Sequence, residues 1–239
     1  DTLIVTGAIS GATIAGDAGA DSLTLATGTS SSVSLGAGND TLFASGELLK
    51  STVSGVSGTN FLTLAGNLVS SSVTASAEGD TILLSGNLTT STVTGGAGAD
   101  VLQLTDAGFG ADLSTVDMAG GNDSVSFAGA ITGSTIGVGD GNDTLFVTGS
   151  IANGTVTVGT VATQKQSVIT LGDGANYASF GGTITSASIT AGSGADSIWL
   201  GGAVTSSSIS LGSGSNVVTA TSLTNSTITG GAGNDSITA

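Results

Sequence analysis

The side chains in this chain with the clearest capacity for chemistry are Asp and Asn residues (together Asx) that recur at one place in a repeat of about 20 residues. Several follow a glycine-rich segment, as in GAGND ending at Asp40 and GDGND ending at Asp143. The positions are Asp1, Asp21, Asp40, Asn60, Asp80, Asp100, Asp123, Asp143, Asn176, Asp196, Asn216 and Asp235. A carboxylate beside flexible glycine backbone supplies the hard oxygen ligands that Ca²⁺ prefers. A fixed period in this range predicts a solenoid, in which each repeat forms one coil.

The elements that must position these side chains are short strands. In the repeat that starts at Asp40, apolar and polar residues alternate around Leu42 and, after a change of phase, around Val53. This period of two predicts β-strands, and each of the frequent glycines would cost a helix about 1 kcal/mol. We therefore expect an all-β fold, a parallel β-helix or β-roll solenoid of about 20 residues per coil and essentially no helix. We expect residues 1–239 to form one continuous solenoid that is a segment of a longer repeat protein.

Two columns of aliphatic side chains follow from this register. The column two residues after each Asx is Leu3, Leu23, Leu42, Leu62, Ile82, Leu102, Val125, Leu145, Ala178, Ile198, Val218 and Ile237. The column in the later strand is Ile14, Val33, Val53, Val73, Val93, Val116, Ile136, Val156, Ile189, Ile209 and Ile228. The second column is β-branched throughout, which suits a pleated strand. We expect each column to stack without interruption and to form a narrow core.

Small residues and insertions predict the corners and loops. Glycine recurs six residues after the Asx, as at Gly46, Gly66 and Gly86, and predicts a corner there, with either two or three faces per coil. Three extra residues lie around DAGFGAD, and 13 extra residues lie around GTVATQKQSVITL. Insertions in a solenoid map to loops on one face. The longer insertion, which contains Lys165, is expected to form an outward loop or a short extra coil.

Two loops carry a specific motif. GGAGADVLQ from Gly95 and GGAGNDSIT from Gly230 fit the nonapeptide GGxGxDxUx, in which U is a large aliphatic residue. In these residues the chain resembles the calcium-binding repeats of the repeats-in-toxin family, which form parallel β-rolls. The resemblance implies Ca²⁺ bound in the loops. This chain has the motif in one turn of a longer coil instead of two, so ions are expected along one edge only.

The candidate calcium ligands come from the Asx loops. They are Asp1, Asp21, Asp40, Asp80, Asp100, Asp123, Asp143, Asp196 and Asp235, with Asp17, Asp140 and Asp173 inside the loops as additional candidates. Stacked coils would bring successive carboxylates to within about 5 Å of each other, and a cation would remove their repulsion. The alternative is a ladder of Asx side chains that hydrogen-bond from coil to coil without any metal.

The composition excludes several classes of site and partner. The chain has no His, Cys or Pro, and its only basic side chains are Lys50 and Lys165 against 17 acids. Zinc sites with thiolate or imidazole ligands and His-dependent catalytic triads are therefore excluded. A net charge of -15 argues against binding to nucleic acid and favours a hydrated, cation-rich exterior such as an extracellular surface. No apolar run is long enough for a transmembrane segment.

Hydroxyl residues predict a flat outer face on the later strand. The outward pairs are Thr52 and Ser54, Thr92 and Thr94, Thr155 and Thr157, and Thr227 and Thr229. Rows of this kind resemble those of ice-binding proteins and can also bind glycans. They are equally ordinary solvent-facing strand residues, or a surface where rods pack side by side.

These observations favour a non-enzymatic role. The leading hypothesis is a structural component of a bacterial cell surface, a surface layer or extracellular filament that is stabilised by Ca²⁺ and assembles end to end or side by side. Similar composition occurs in bacterial surface-layer proteins, cyanobacterial surface-fibril proteins and large adhesins. The alternative is a secreted adhesin module that binds ice or glycan through the Ser/Thr face. A third hypothesis, a β-helical polysaccharide-degrading enzyme, lacks an evident catalytic pair of acids with aromatic platforms.

Overall fold

The computed structural model confirms the expected fold, a parallel β-solenoid of about 11 turns with roughly 20 residues per turn. It describes residues 1–106, 108–139, 141, 143–147, 151–152, 155–158, 164–165, 168–171, 174–180 and 183–239. Within these residues the regular structure is strand alone, so the expectation of no helix is confirmed there. Accordingly, no helix of the described chain is long and apolar enough to cross a membrane.

Each coil contains three strands, which answers the question of two or three faces. Strands that directly follow the Asx are β1 (Thr2–Val5), β4 (Ser22–Leu25), β7 (Thr41–Ala44), β10 (Phe61–Leu64), β13 (Thr81–Leu84), β16 (Val101–Leu104), β19 (Ser124–Phe127), β22 (Thr144–Val147), β27 (Tyr177–Phe180), β30 (Ser197–Thr205), β32 (Val217–Thr224) and β34 (Ser236–Thr238). Short middle strands are β2 (Ile9–Ser10), β5 (Gly28–Thr29), β8 (Leu48–Leu49), β11 (Leu68–Val69), β14 (Leu88–Thr89), β17 (Ala111–Asp112), β20 (Ile131–Thr132), β23 (Ile151–Ala152), β25 (Gln164–Lys165) and β28 (Ile184–Thr185). Third strands are β3 (Thr13–Ala15), β6 (Ser32–Ala37), β9 (Thr52–Ser57), β12 (Ser72–Thr74), β15 (Thr92–Gly96), β18 (Thr115–Ala119), β21 (Thr135–Gly139), β24 (Thr155–Val158), β26 (Val168–Thr170), β29 (Ser188–Thr190), β31 (Ser208–Ser210) and β33 (Thr227–Thr229).

The corners between these strands have distinct causes. The predicted corner at the glycine column is confirmed, because Gly46 bends the chain between β7 and β8. A Cβ on Gly66 would lie 2.3 Å from the carbonyl carbon of Gly46, so the backbone of successive coils passes too close here for a side chain. The next corner uses one left-handed residue per coil, such as Lys50 with φ of 49° and Thr90 with φ of 52°.

The aliphatic columns fill the space between the two longer faces. Leu42, Leu62 and Ile82 are at most 1% exposed, and the facing Val73 and Val93 are fully buried. In-register parallel pairing, for example Leu62 with Leu42 and Ile82, stacks each residue on its equivalent in the next coil. The predicted core is therefore confirmed within each part of the rod.

The columns do not run uninterrupted through the molecule, and this corrects the expectation of single continuous stacks. Thr144 of β22 pairs with Val168 of β26, so a first strand stacks on a third strand. Thr155 of β24 pairs with Tyr177 of β27, so a third strand stacks on a first strand. The exchange is possible because both columns are aliphatic inside, so either kind of strand can stack on the other. We call β1–β24 the N-terminal section and β25–β34 the C-terminal section.

Two long sheets therefore contain both kinds of strand. Sheet 1 has the order β1-β4-β7-β10-β13-β16-β19-β22-β26-β29-β31-β33, and sheet 3 runs β3-β6-β9-β12-β15-β18-β21-β24-β27-β30, with β32 and β34 beyond β30. Sheet 2 has the order β2-β5-β8-β11-β14-β17-β20-β23 and covers one edge of the N-terminal section. In the C-terminal section β25 pairs with β28, and β28 pairs with the second half of β30.

The two insertions have different structures, and only the long one coincides with the exchange of sheets. Gln164 and Lys165 of the long insertion form strand β25, which pairs with Ile184 and Thr185, so this part of it belongs to the wall of the coil and is not an outward loop. The shorter insertion makes a turn in which the N–H of Phe109 donates to the carbonyl of Asp106 at 2.9 Å. A Cβ on Gly108 would meet no atom within 4 Å, so this insertion is the surface loop expected from the sequence.

Candidate metal centre

From Asp21 to Asp143 the Asx side chains of the N-terminal section lie inside the rod and form a ladder. One oxygen, Oδ1, of each side chain accepts the backbone N–H of the Asx one coil earlier. The bonds are Asp21 N–H to Asp40 at 2.8 Å, Asp40 to Asn60 at 3.1 Å, Asn60 to Asp80 at 2.5 Å, Asp80 to Asp100 at 2.7 Å, Asp100 to Asp123 at 2.8 Å and Asp123 to Asp143 at 3.0 Å. A buried N–H at a corner has no strand partner, and this bond satisfies it.

The second carboxylate oxygen is not satisfied in the same way. Oδ2 is buried and has no hydrogen-bond partner in Asp21, Asp40, Asp100 and Asp123, which are at most 4% exposed. A buried anionic oxygen without a donor or cation is strongly destabilising. The ladder proposed as an alternative to calcium therefore exists, but by itself it leaves half of each of these carboxylates uncompensated.

The electrostatics of the ladder reflect this arrangement. Burial raises the pKa of Asp100 from 3.8 to about 7; the N–H of Asp80 opposes the shift, and the carboxylates of Asp123 and Asp80 add to it. Burial likewise raises the pKa of Asp123 to about 6, with the N–H of Asp100 lowering it and Asp143 raising it. A cation or a proton at these oxygens would relieve the cost of burying the charge.

The glycine-rich loops shape the space around Oδ2. A Cβ on Gly95 would lie 2.6 Å from Oδ2 of Asp100, and a Cβ on Gly16 would lie 3.0 Å from Oδ2 of Asp21. The oxygen thus points into a loop that a larger side chain would fill. Gly96, four residues before Asp100, has φ of 154°, a conformation that favours glycine.

The remaining predicted ligands divide into three groups. Asp1 is exposed, and its terminal amine donates to Oδ1 of Asp21 at 2.6 Å. Asp17 is exposed and lines a cavity of about 330 Å³ together with Asp1 and Asp21. Asp140 and Asp173 lie outside the described residues.

The Asx residues of the C-terminal section lie on the opposite edge of the rod. In the N-terminal section an Asx precedes each strand of sheet 1, whereas Asn176, Asp196 and Asn216 precede strands of sheet 3. In the N-terminal section the short Asx loop joins the end of each sheet 3 strand to the beginning of the next sheet 1 strand. The beginnings of the sheet 3 strands therefore lie at the other edge of the rod. The Asx residues that were expected to line one edge therefore lie in two half-rows, one on each edge. The bonds continue, since Asp196 accepts from Asn176 at 3.0 Å and Asp235 accepts from Asn216 at 3.1 Å.

A second ladder, of serines, was missed from the sequence. Ser31, Ser51, Ser71, Ser91, Ser114 and Ser134 precede the third strands of the N-terminal section and are at most 5% exposed. Oγ of Ser51 accepts the N–H of Ser31 at 3.2 Å and donates to the carbonyl of Leu49 at 3.0 Å. The recurrence of Ser at the residue before each later strand was the available signal. The next residue of this row, Gly154, lies outside the described residues, and Asn176 occupies the place one coil further on, before β27.

The arrangement limits the kind of metal site that can form. Among the described residues, no group of three or more Asp, Glu, His or Cys side chains is placed to hold an ion. A Ca²⁺ ion here would therefore use one or two carboxylates and complete its shell with backbone carbonyls, as hard cations do. The buried Oδ2 atoms and the glycine-lined loops fit such an ion.

The hydroxyl face predicted from the sequence is divided between the two sheets. Thr52, Thr92 and Thr155 lie on strands of sheet 3, but Thr227 lies on β33 in sheet 1. The expectation that Thr227 and Thr229 share a surface with the other pairs is therefore wrong, because the sections exchange their strands.

Exposed aromatic residues follow the same exchange. Phe43, Phe61 and Phe146 lie on sheet 1, whereas Tyr177 and Trp199 lie on sheet 3. Each is between 41% and 47% exposed. Each section thus has one face rich in hydroxyl groups and one that carries aromatic rings, and these faces change places between the sections.

Comparison with known proteins supports the fold. No family model matches the sequence, and no curated protein is similar to it. A similar solved structure is described as a hyperactive, Ca²⁺-dependent, β-helical antifreeze protein from an Antarctic bacterium. The two chains are 22% identical with a TM-score of 0.55, over 99% of this chain and 78% of that one. This chain is therefore similar in fold to a bacterial β-helical protein.

Proposed function

We propose that this chain is a non-enzymatic, calcium-stabilised structural rod of a bacterial cell surface, part of a surface layer or an extracellular filament. The observation that carries the proposal is that the buried acids accept hydrogen bonds from the backbone. Each carboxylate of the ladder accepts a buried N–H from the adjacent coil, as Asp100 does from Asp80 at 2.7 Å. Acids used in this way hold coils together and are not available for proton transfer to a substrate.

The calcium part of the proposal rests on the uncompensated oxygens. Oδ2 of Asp40 and Asp100 is buried without a donor, and a divalent cation would neutralise it. The resemblance to repeats-in-toxin motifs and the Ca²⁺ dependence stated for the similar β-helical protein both support this assignment.

The experiment is a thermal unfolding series in EGTA and in millimolar Ca²⁺, with bound metal measured by mass spectrometry. We expect bound calcium and a higher melting temperature in Ca²⁺, because binding to the folded state alone stabilises it. Mg²⁺ at the same concentration is the control, since its rigid octahedral preference suits carbonyl-rich loops poorly. An unchanged melting temperature together with absence of bound calcium would overturn the calcium assignment.

Side-by-side assembly is supported by the exposed rings. Phe43 and Phe61 lie on sheet 1 near one end of the rod, and Tyr177 and Trp199 lie on sheet 3 in the other section. Contact between sheet 1 of one rod and sheet 3 of the next would bury both sets and leave further patches open for growth. Electron microscopy of purified protein in Ca²⁺ tests this, and isolated monomers at all concentrations would count against it.

Ice or glycan binding is the second candidate function, supported by the hydroxyl face of the N-terminal section and by the description of the similar structure as an antifreeze protein. Thr92 pairs with Ser72 and Thr115, so hydroxyl groups repeat at the coil spacing along sheet 3. Ice-growth and glycan-array assays on the wild type and on Thr92→Tyr with Thr94→Tyr would test it. Activity that these substitutions abolish would favour this candidate, whereas inactive wild-type protein would remove it.

A single continuous solenoid at residues 1–239 and a secreted or cell-surface location remain part of the proposal. The continuous solenoid follows from the repeat, with which the strand registers agree. The location follows from the acidic composition, which favours a cation-rich exterior. Limited proteolysis of the calcium-loaded protein would test continuity, since a linker between domains would yield stable fragments.

A further inference from the structure

Each position of the buried ladders must satisfy two groups, and this requirement separates the Asx residues into classes. The first group is the N–H of the preceding coil, which needs an oxygen acceptor. The second is a carbonyl two residues before the ladder residue, which the serines satisfy with their hydroxyl proton. Ser71, for example, donates to the carbonyl of Val69 at 2.9 Å while it accepts the N–H of Ser51 at 3.0 Å. A serine is therefore complete on its own.

Asn60 reproduces this pattern with its amide group. Oδ1 of Asn60 accepts the N–H of Asp40 at 3.1 Å, and Nδ2 donates to the carbonyl of Gly58 at 2.9 Å. Only this orientation of the amide satisfies both contacts. Asn216 also satisfies two groups, but differently: Oδ1 accepts from Asp196 at 2.9 Å, while Nδ2 donates to the carbonyl of Gly230 at 3.2 Å and to Oδ1 of Asp235 at 2.9 Å, both in the next coil. The NH₂ group thus bridges a side chain and a loop carbonyl, a position that a cation would otherwise occupy.

Asp80 is an aspartate whose second oxygen is satisfied by its own loop. Its Oδ2 accepts the N–H of Ser76 at 2.7 Å and lies 2.8 Å from the hydroxyl of the same residue. That hydroxyl is also 2.8 Å from the carbonyl of Gly58. The Ser76 side chain therefore links the carboxylate of one coil to the loop of the coil before it.

Four other aspartates of the N-terminal ladder have no such donor. Oδ2 of Asp21, Asp40, Asp100 and Asp123 is unpartnered. The residues four positions before them all have positive φ: Asp17 at 64°, Gly36 at 93°, Gly96 at 154° and Ala119 at 64°. Ser76, at the equivalent position before Asp80, does not have positive φ. Of the loops before these five aspartates, the one with Ser76 is the one in which this N–H reaches the carboxylate.

We propose that Asn60, Asn216 and the Ser76–Asp80 pair are built-in replacements for the calcium ion, so that their loops close without metal, whereas Asp21, Asp40, Asp100 and Asp123 require it. The proposal rests on the calcium part of the proposed function. It predicts that the adjacent Asn60 and Asp80 form a metal-independent step, which separates a calcium-dependent pair at Asp21 and Asp40 from another at Asp100 and Asp123.

The experiment exchanges the two classes and counts ions. Asp100→Asn gives that loop an amide donor, so bound calcium should fall by about one ion per chain and the loss of melting temperature in EGTA should shrink. Asn60→Asp removes the donor and should raise bound calcium by about one ion while enlarging the effect of EGTA. Asp112→Asn is the matched control, because it removes the same charge from an exposed strand residue and should leave the calcium count unchanged.

Hydrogen exchange of the wild-type chain in EGTA provides a second readout that needs no substitution. We expect the amides of Asp40 and Asn60, whose acceptors are Asn60 and Asp80, to stay more protected than those of Asp80 and Asp100, whose acceptors are Asp100 and Asp123. Wild-type protein that binds calcium but shows the same ion count in Asp100→Asn and Asn60→Asp, with uniform exchange, would overturn this inference and leave calcium stabilisation intact. Wild-type protein that binds no calcium would overturn both.

Discussion

The N-terminal and C-terminal sections of the rod are built from the same repeat, yet they use its strands in opposite sheets. First strands such as β19 and β22 lie in sheet 1, whereas β27 and β30 of the later coils lie in sheet 3. The buried carboxylates, the hydroxyl face and the aromatic rings all change sides as a result. The difference teaches that a solenoid coil with two interchangeable aliphatic columns can be rotated by an insertion without any loss of core stacking.

The exchange of sheets is most directly tested with paired cysteines, because this outcome is all or none. Thr155 and Tyr177 are ladder partners across the junction, about 4.8 Å apart between Cα atoms as in any sheet. Thr155→Cys with Tyr177→Cys should form a disulfide under mild oxidation, since this separation lies in the permitted range. Thr144→Cys with Tyr177→Cys should not, and efficient linkage of that second pair would mean that first strands stack throughout the chain.

Glycine substitutions should have the next largest effect and should be similar in the two sections. A Cβ on Gly96 would lie 1.6 Å from the carbonyl oxygen of Ser76, and one on Gly214 would lie 1.7 Å from that of Gly194. Both residues have positive φ, so alanine at either should cost at least about 3 kcal/mol of unfolding free energy. Gly7→Ala, with no atom within 4 Å, is the control. Denaturant unfolding measures the difference, and a large loss in only one section would show that the loops differ.

Removal of a ladder carboxylate should lower the unfolding free energy more in the N-terminal section than in the C-terminal section. Asp100→Ala leaves the buried N–H of Asp80 without an acceptor, which should cost about 1–3 kcal/mol before any loss of calcium. Asp235 in the C-terminal section is only partly buried, so Asp235→Ala should cost less. Ser72→Ala, on a half-buried strand position, should have little effect. Chemical denaturation in Ca²⁺ gives the order, and equal values for Asp100→Ala and Ser72→Ala would remove the ladder from the account of stability.

In EGTA the stability should also depend on pH through the N-terminal ladder. Because burial raises the pKa of Asp100 to about 7 and of Asp123 to about 6, the folded chain binds more protons than the unfolded chain above about pH 4. The stability of the calcium-free rod should therefore fall as pH rises toward about 7 and then level off. Asp100→Asn combined with Asp123→Asn should flatten this profile in thermal scans. A rise in melting temperature over the same range would contradict the shifts.

The sequence predicted the periodic features well because each depends on residues within one repeat. Leu42 and Val53 mark the strands through their alternation, and Gly46 marks a corner through its recurrence. The Ser51 ladder was missed because serine is common on strand surfaces, and its burial depends on how the corner turns. Asn60 carries its donor in its own amide, whereas the donor to Asp80 comes from Ser76 and depends on the loop conformation four residues earlier, which composition does not reveal.

The sequence alone determined the solenoid, the length of its coil and the row of Asx residues, since a period of about 20 residues with alternating strands has no other compact solution. Only the tertiary structure decided which columns stack on each other after the long insertion. Ile169 and Ala178 are both apolar, so either could continue the column of Leu145, and the pairing of Leu145 with Ile169 was settled by the path of the chain through that insertion. The two edges that could hold calcium follow from this single choice.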